Sequence, residues 1–165
     1  MTQSTAQPPL PPRGRLGRPT DDLTFGAVFF GPSCPRNVSF QLLPTIPQTT
    51  DRAVLEAIHS ALLQIRYMRH TELDPRHTQV IIMTDSAHVV DVLCTRVWEW
   101  EQQGFEPPVQ NVEAIRAVHE LIRSVERGLD VSVLLWRVER EEVQDAQGLA
   151  VVAADAAITA LAGDH

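Results

Sequence analysis

Cysteine is scarce in this 165-residue chain, which has only Cys34 and Cys94. Two such widely separated residues build neither a disulfide framework nor a zinc site, so a reduced, intracellular setting, cytoplasmic or nuclear, is expected. Long apolar runs are also missing. None approaches the ~20 residues that cross a bilayer, so no membrane association is expected. The N-terminus lacks the apolar stretch of a secretory signal. Positive charge is in deficit: fourteen Lys and Arg stand against twenty-one Asp and Glu, for a net charge of −7. Binding a phosphate backbone draws on clustered basic side chains, so this balance disfavours nucleic acid as a partner and leaves it only a local basic patch.

The residues that are present have ordinary globular proportions, 44% of them hydrophobic, in a chain long enough for one domain with a real core. Residues 1–22 contain QPPLPPRGRLGRP, rich in Pro, Gly and Arg and without apolar periodicity. They read as a disordered tail. The prolines argue against the amphipathic helix of a mitochondrial transit peptide. The folded domain is expected over residues 23–162.

Within it, LTFGAVFF and VSFQLL read as two strands around the loop GPSCPRN, a hairpin. A helix follows from about Asp51 to Tyr67, with Thr49 or Thr50 as N-cap and an apolar stripe of Val54, Ile58, Ala61, Leu62 and Ile65. HTELDPRHT is a polar loop. QVIIM is a short apolar run without alternation, which predicts a strand covered on both faces. Thr84, Asp85 and Ser86 end that strand, and a helix runs from near Ser86 to about Arg96, with Cys94 read as core. VWEWEQQGFEPPVQ carries Trp98 and Trp100, expected in the core or against a partner, and is broken by Gly104 and two prolines. Asn111 is placed to cap a helix that carries Val112, Ile115, Val118, Ile122 and Val125 and stops at Gly128. DVSVLLWRV is the last strand. Glu139 to Glu142 read as a solvated loop before an Ala-rich helix over about Val143 to Leu161. The order β β α β α α β α predicts an α/β fold with a mixed sheet. The six histidines, His59, His70, His77, His88, His119 and His165, show no metal-ligand spacing.

Three motifs in that order resemble the ribonuclease H family. GAVFFGPSCPRNVSFQLLPTIPQTTDRAVLEAIHSAL is similar to the family's second and third strands and the helix after them. That helix opens on a Gln-Thr-x-x-Arg-Ala-Glu-Leu pattern, here Gln48-Thr49-Thr50-Asp51-Arg52-Ala53-Val54-Leu55. Thr84-Asp85-Ser86 at a strand end, followed by AHVVDVLCTRVWEWEQQGF and the later helix at Asn111, resembles the second motif. WRVEREEVQDAQGLA is similar to the last strand and final helix. The family has Glu-Ala-Asp-x-Leu-Ala where this chain has Asp145-Ala146-Gln147-Gly148-Leu149-Ala150. The resemblance covers about residues 25–155. It implies a ribonuclease H-like mixed sheet flanked by helices, with the family's first, central strand missing.

The resemblance also implies a chemistry. The family cleaves the RNA of an RNA–DNA hybrid with two divalent metals about 3.5–4 Å apart, held by four carboxylates. One lies on the first strand, one on the first helix, one at the Thr-Asp-Ser strand end and one on the last helix. Here the first-strand ligand has no counterpart. Asp21 and Asp22 sit in no strand, and a register with Phe30-Gly31 in place of Asp-Gly supplies no Asp either. Val54 stands where the helix Glu should be. Glu56 lies about 200° around the helix from it, which leaves Asp51, one turn earlier, as the only substitute. Gln147 replaces the last Asp, and Asp145 lies about 200° away from it. Asp85 alone remains, as a vestigial catalytic and metal position, with Thr84, Asp85 or Ser86 expected to cap the following helix.

The expected function is therefore a ribonuclease H-like pseudoenzyme acting as a protein-interaction or weak nucleic-acid-binding module, with no cofactor. The alternative is an active hybrid ribonuclease whose sequence is truncated at its N-terminus, with Mg²⁺ or Mn²⁺ as its cofactor. A third reading is a subunit that completes its sheet edge on a protein partner or on another copy of itself.

Overall fold

The computed structural model describes residues 23–69, 78–105 and 110–163. The tail, Asp21, Asp22, the whole 70–77 stretch with His70 and His77, the two prolines Pro107 and Pro108, and His165 lie outside the described residues.

The chain opens with a hairpin. β1 (Phe25–Val28) pairs antiparallel with β2 (Val38–Gln41), Phe25 opposite Gln41 and Val28 opposite Val38. The Asn37 side chain ties the connecting loop, accepting from the Phe30 N–H at 2.8 Å and donating to the Gly31 carbonyl at 2.8 Å. Gly26 allows β1 to lie against the next helix. A Cβ there would sit 2.5 Å from the Phe40 ring and 3.2 Å from the Ala53 carbonyl oxygen. Gln48 fastens the connection to that helix, accepting from the Thr24 N–H at 2.9 Å and donating to the Leu43 carbonyl at 2.8 Å.

α1 (Thr50–Arg69) starts where Thr49 Oγ1 accepts from the Arg52 N–H at 3.2 Å, so Thr49 is the cap. Its buried stripe is Ala53, Leu55, Ile58, Ala61, Leu62 and Ile65. Val54 packs against the core from a partly buried position, and Leu55, absent from the expected stripe, holds the central one.

β3 (Gln79–Thr84) lies parallel to β4 (Ser132–Arg137), Ile81 opposite Leu134 and Met83 opposite Trp136. Between them the chain is helical. α2 (Ala87–Asp91) passes through a π-helical turn (Val92–Arg96) into α3 (Val97–Gln102), longer than the helix read from the sequence. After Gly104 comes α4 (Val112–Leu129). α1 and α4 pack together, and Leu55, Ile58, Leu62, Val89, Val92, Val97, Val118 and Val125 interlock between them and α2 and α3. A 3₁₀ turn (Arg140–Val143), closed by reciprocal Glu139 and Glu142 side-chain bonds, stands where a loop was expected. α5 (Gln144–Gly163) packs on β1 and β2. No helix among the described residues is long and apolar enough to cross a membrane.

The α/β class and the element order agree with the sequence reading, but the strands do not form one mixed sheet. Among the described residues, β1 pairs only with β2 and β3 only with β4. β3 is not covered on both faces either. Val80, Ile82, Val133 and Leu135 face the core, whereas Ile81 and Met83 are exposed. An all-apolar run shows no alternation in sequence, even where one of its faces stays open.

Two further corrections concern single residues. Cys94 is exposed. The buried side of this helical stretch is Val89, Val92, Leu93 and Val97, and Cys94, in the π-helical turn, lies outside it. Asn111 occupies the cap position of α4, but at φ 61° its side chain makes no cap bond and its buried Oδ1 has no partner among the described residues. Its carbonyl accepts from the Ile115 N–H at 2.9 Å instead.

Candidate functional site

The C-terminal end of β3 gathers most of the residues singled out in the sequence. Thr84, buried, turns its Oγ1 to accept from the Ser86 N–H at 3.2 Å. Ser86 Oγ in turn accepts from the Val89 N–H at 3.3 Å and starts α2. Capping falls to Ser86, with Thr84 bracing it. Asp85, between them, is exposed and free of that duty.

Asp85 is held from another direction. Gln147 Nε2, in the first turns of α5, donates to Asp85 Oδ2 at 3.2 Å, and Arg140 Nε donates to Gln147 Oε1 at 3.4 Å. The amide therefore presents its donor to the carboxylate and gives its acceptor to a guanidinium. A cation at Asp85 would face an N–H₂ group where it needs an oxygen.

Asp51 comes to the same end of the molecule from the first turn of α1. Ser86 Oγ donates to Asp51 Oδ1 at 3.4 Å, and His88 Nε2 lies 3.9 Å from Asp51 Oδ2. Asp51 is thus brought to the residue next to Asp85, while Val54 turns into the core region. Glu56 is engaged elsewhere, in an ion pair with Arg52 at 2.7 Å. Asp145 is exposed in the first turn of α5.

Among the described residues, no group of three or more His, Cys, Asp or Glu side chains could hold a metal ion. Two hard cations need several oxygen ligands each. One exposed carboxylate bonded to an amide, with a second tied to Ser86 and His88, does not fit that requirement. Among the described residues, the cavities near this end are small. The cavity lined by Asp51, His88, Gln110 and Asn111 measures about 10 Å³. A cavity of about 180 Å³ between α1 and α4, lined by Arg52, Glu56, His59 and Glu113, is also below the usual range for ligand pockets.

Two partners at this site were not foreseen. Arg140 was hidden in an acidic run read as a loop, and only its spacing of one heptad from Gln147 hints that the two meet across the start of α5. His88 follows the Thr84-Asp85-Ser86 motif closely enough to have been paired with it. A further polar group sits away from this end: buried His119 stacks edge-on to Trp98 with ring centres 4.9 Å apart, and its Nε2 lies 3.4 Å from Glu101, which also pairs with Arg123. That arrangement braces α3 against α4, and Trp100 packs on the core.

No protein-family model matches the chain, and no curated protein is similar to it.

Proposed function

We propose that this chain is a ribonuclease H-like domain without a working metal centre, and that it serves as a protein-interaction module inside the cell. The hydrogen bond from Gln147 to Asp85 carries the proposal. It puts an amide donor on the one carboxylate of the motif that the sequence retains. The element order supports the ribonuclease H-like reading. So do the two separate ribbons, whose β1 and β3 pair with no further strand among the described residues, which suits a fold lacking its central strand. Two free cysteines suit a reducing compartment.

Protein is favoured over nucleic acid as the partner because the net charge is −7 and several large apolar side chains, Met83 and Trp136 among them, are exposed. The competing reading, a hybrid-cleaving enzyme, draws on Asp51 lying beside Ser86, one residue from Asp85. An assay on a labelled RNA–DNA hybrid with Mg²⁺ or Mn²⁺ separates them, with Asp85→Asn alongside and folding checked by circular dichroism. The folded chain is expected to leave the hybrid intact. Metal-dependent cleavage that disappears in Asp85→Asn would establish the enzyme and end this proposal.

A further inference from the structure

The cavity between α1 and α4 lies apart from the cluster at the end of β3. It measures about 180 Å³ and opens to solvent. Its floor is apolar, with Leu55 of α1 and Val118 of α4 both buried. Its walls carry charge. Arg52, Glu56 and His59 stand on α1 at positions i, i+4 and i+7, a spacing that puts them on one side of the helix. Glu113 joins them from the first turn of α4.

The hydrogen bonds leave acceptors open on both helices. Arg52 directs two nitrogens to one oxygen: Nε donates to Glu56 Oε1 at 2.9 Å, and Nη2 lies 2.7 Å from the same atom. Glu56 Oε2 has no partner among the described residues, and neither the Glu113 carboxylate nor the His59 ring has one there. Arg52 neutralises Glu56, so the charge of Glu113 is left unbalanced.

We infer that this cavity receives one arginine side chain from a partner protein. The inference supplies an anchor for the interaction module proposed above and rests on that reading. Size limits the occupant first. The volume equals roughly six waters at ~30 Å³ each, room for one long side chain and too little for a whole small-molecule ligand. Charge limits it next. An acidic side chain would meet two carboxylates. An aliphatic or aromatic one would cover Glu56 and Glu113 without giving them donors, a desolvation that nothing offsets. A cation avoids both costs. Lysine offers a compact, strongly hydrated point charge. A guanidinium spreads its donors over a plane, so it can serve carboxylates on two helices at once and lay its face on an imidazole. Its methylenes suit the apolar floor. Arginine in such a pocket is a common energetic anchor of protein interfaces.

NMR titration of the isotope-labelled full chain tests the inference. The probes are N-acetyl-arginine methylamide and its lysine and citrulline counterparts. Citrulline keeps the shape of arginine and lacks its charge. The arginine probe is expected to saturate with a dissociation constant on the order of millimolar, weak because a lone side chain brings no further interface. The largest amide shifts should fall in residues 52–59 and 113–118. Glu113→Gln keeps the size of an exposed side chain, so the spectrum should retain its dispersion while binding weakens about threefold to fivefold. Glu120→Gln, also on α4 but outside the cavity, should bind as the wild type does. Five results each overturn the inference: no saturation, largest shifts elsewhere, lysine or citrulline bound as tightly as arginine, indifference to Glu113→Gln, or an equal loss in Glu120→Gln. A chain that ignores arginine and leaves RNA–DNA hybrids intact would remove this site alone. One that binds arginine as described and cleaves hybrids would remove the pseudoenzyme reading alone.

Discussion

Gln147 and Asp85 lie 62 residues apart in sequence and meet by one hydrogen bond. Through that contact the Asp85 carboxylate accepts from an amide carried by a different element. Two other residues show how local placement sets chemistry. The Cys94 thiol is held above its usual range, chiefly by partial burial of the group and secondarily by the Asp91 carboxylate nearby. A raised pKa leaves less thiolate at any pH below it, so Cys94 should alkylate more slowly near pH 8 than a thiol of ordinary acidity. Asp91→Asn should speed the reaction only in part, since burial is the larger cause. Mass spectrometry of iodoacetamide-treated protein, followed over time, measures both rates. Gly26 makes the second case. In Gly26→Ala the new methyl must push the Phe40 ring aside and crowd the Ala53 carbonyl, an overpacking cost of ~1–2 kcal/mol. Urea unfolding should show a lower midpoint with an unchanged slope.

At the scale of elements, the start of α1 depends on one hydroxyl. Thr49→Ala removes the acceptor for the Arg52 N–H, and the chain should lose ~1 kcal/mol of stability in the same urea measurement. Thr49→Ser, which keeps the oxygen, should retain most of it. This cap was legible in the sequence because Thr before an apolar periodic run is a local signal. Ser86 was legible as one of three neighbours for the same reason. Features set by tertiary packing were not legible. Asn111 has the composition of a cap, yet its backbone adopts φ 61° and turns the side chain inward. Val80 to Met83 are all apolar, so nothing in the letters distinguishes the core-facing Val80 and Ile82 from the outward Ile81 and Met83. The Arg140–Gln147–Asp85 chain joins three elements, and no single stretch of sequence contains it.

Across the whole molecule, the order of strands and helices was readable, and how the strands associate was not. A mixed sheet was expected, whereas the strands divide into an antiparallel hairpin and a parallel ribbon, bound through the helices between them. Strand pairing depends on which edges meet, and periodicity carries no information about edges. The two ribbons also differ in how far along the chain their partners lie. β1 finds β2 across a short loop, whereas in the β3–β4 register Gln79 meets Ser132, 53 positions later. On a ribosome adding ~5–20 residues per second, that separation is a delay of several seconds. The hairpin and α1 can therefore assemble while β3 waits. During that interval the Val80–Met83 run, among the most apolar in the chain, has left the exit tunnel before the strand it must pair with has been made.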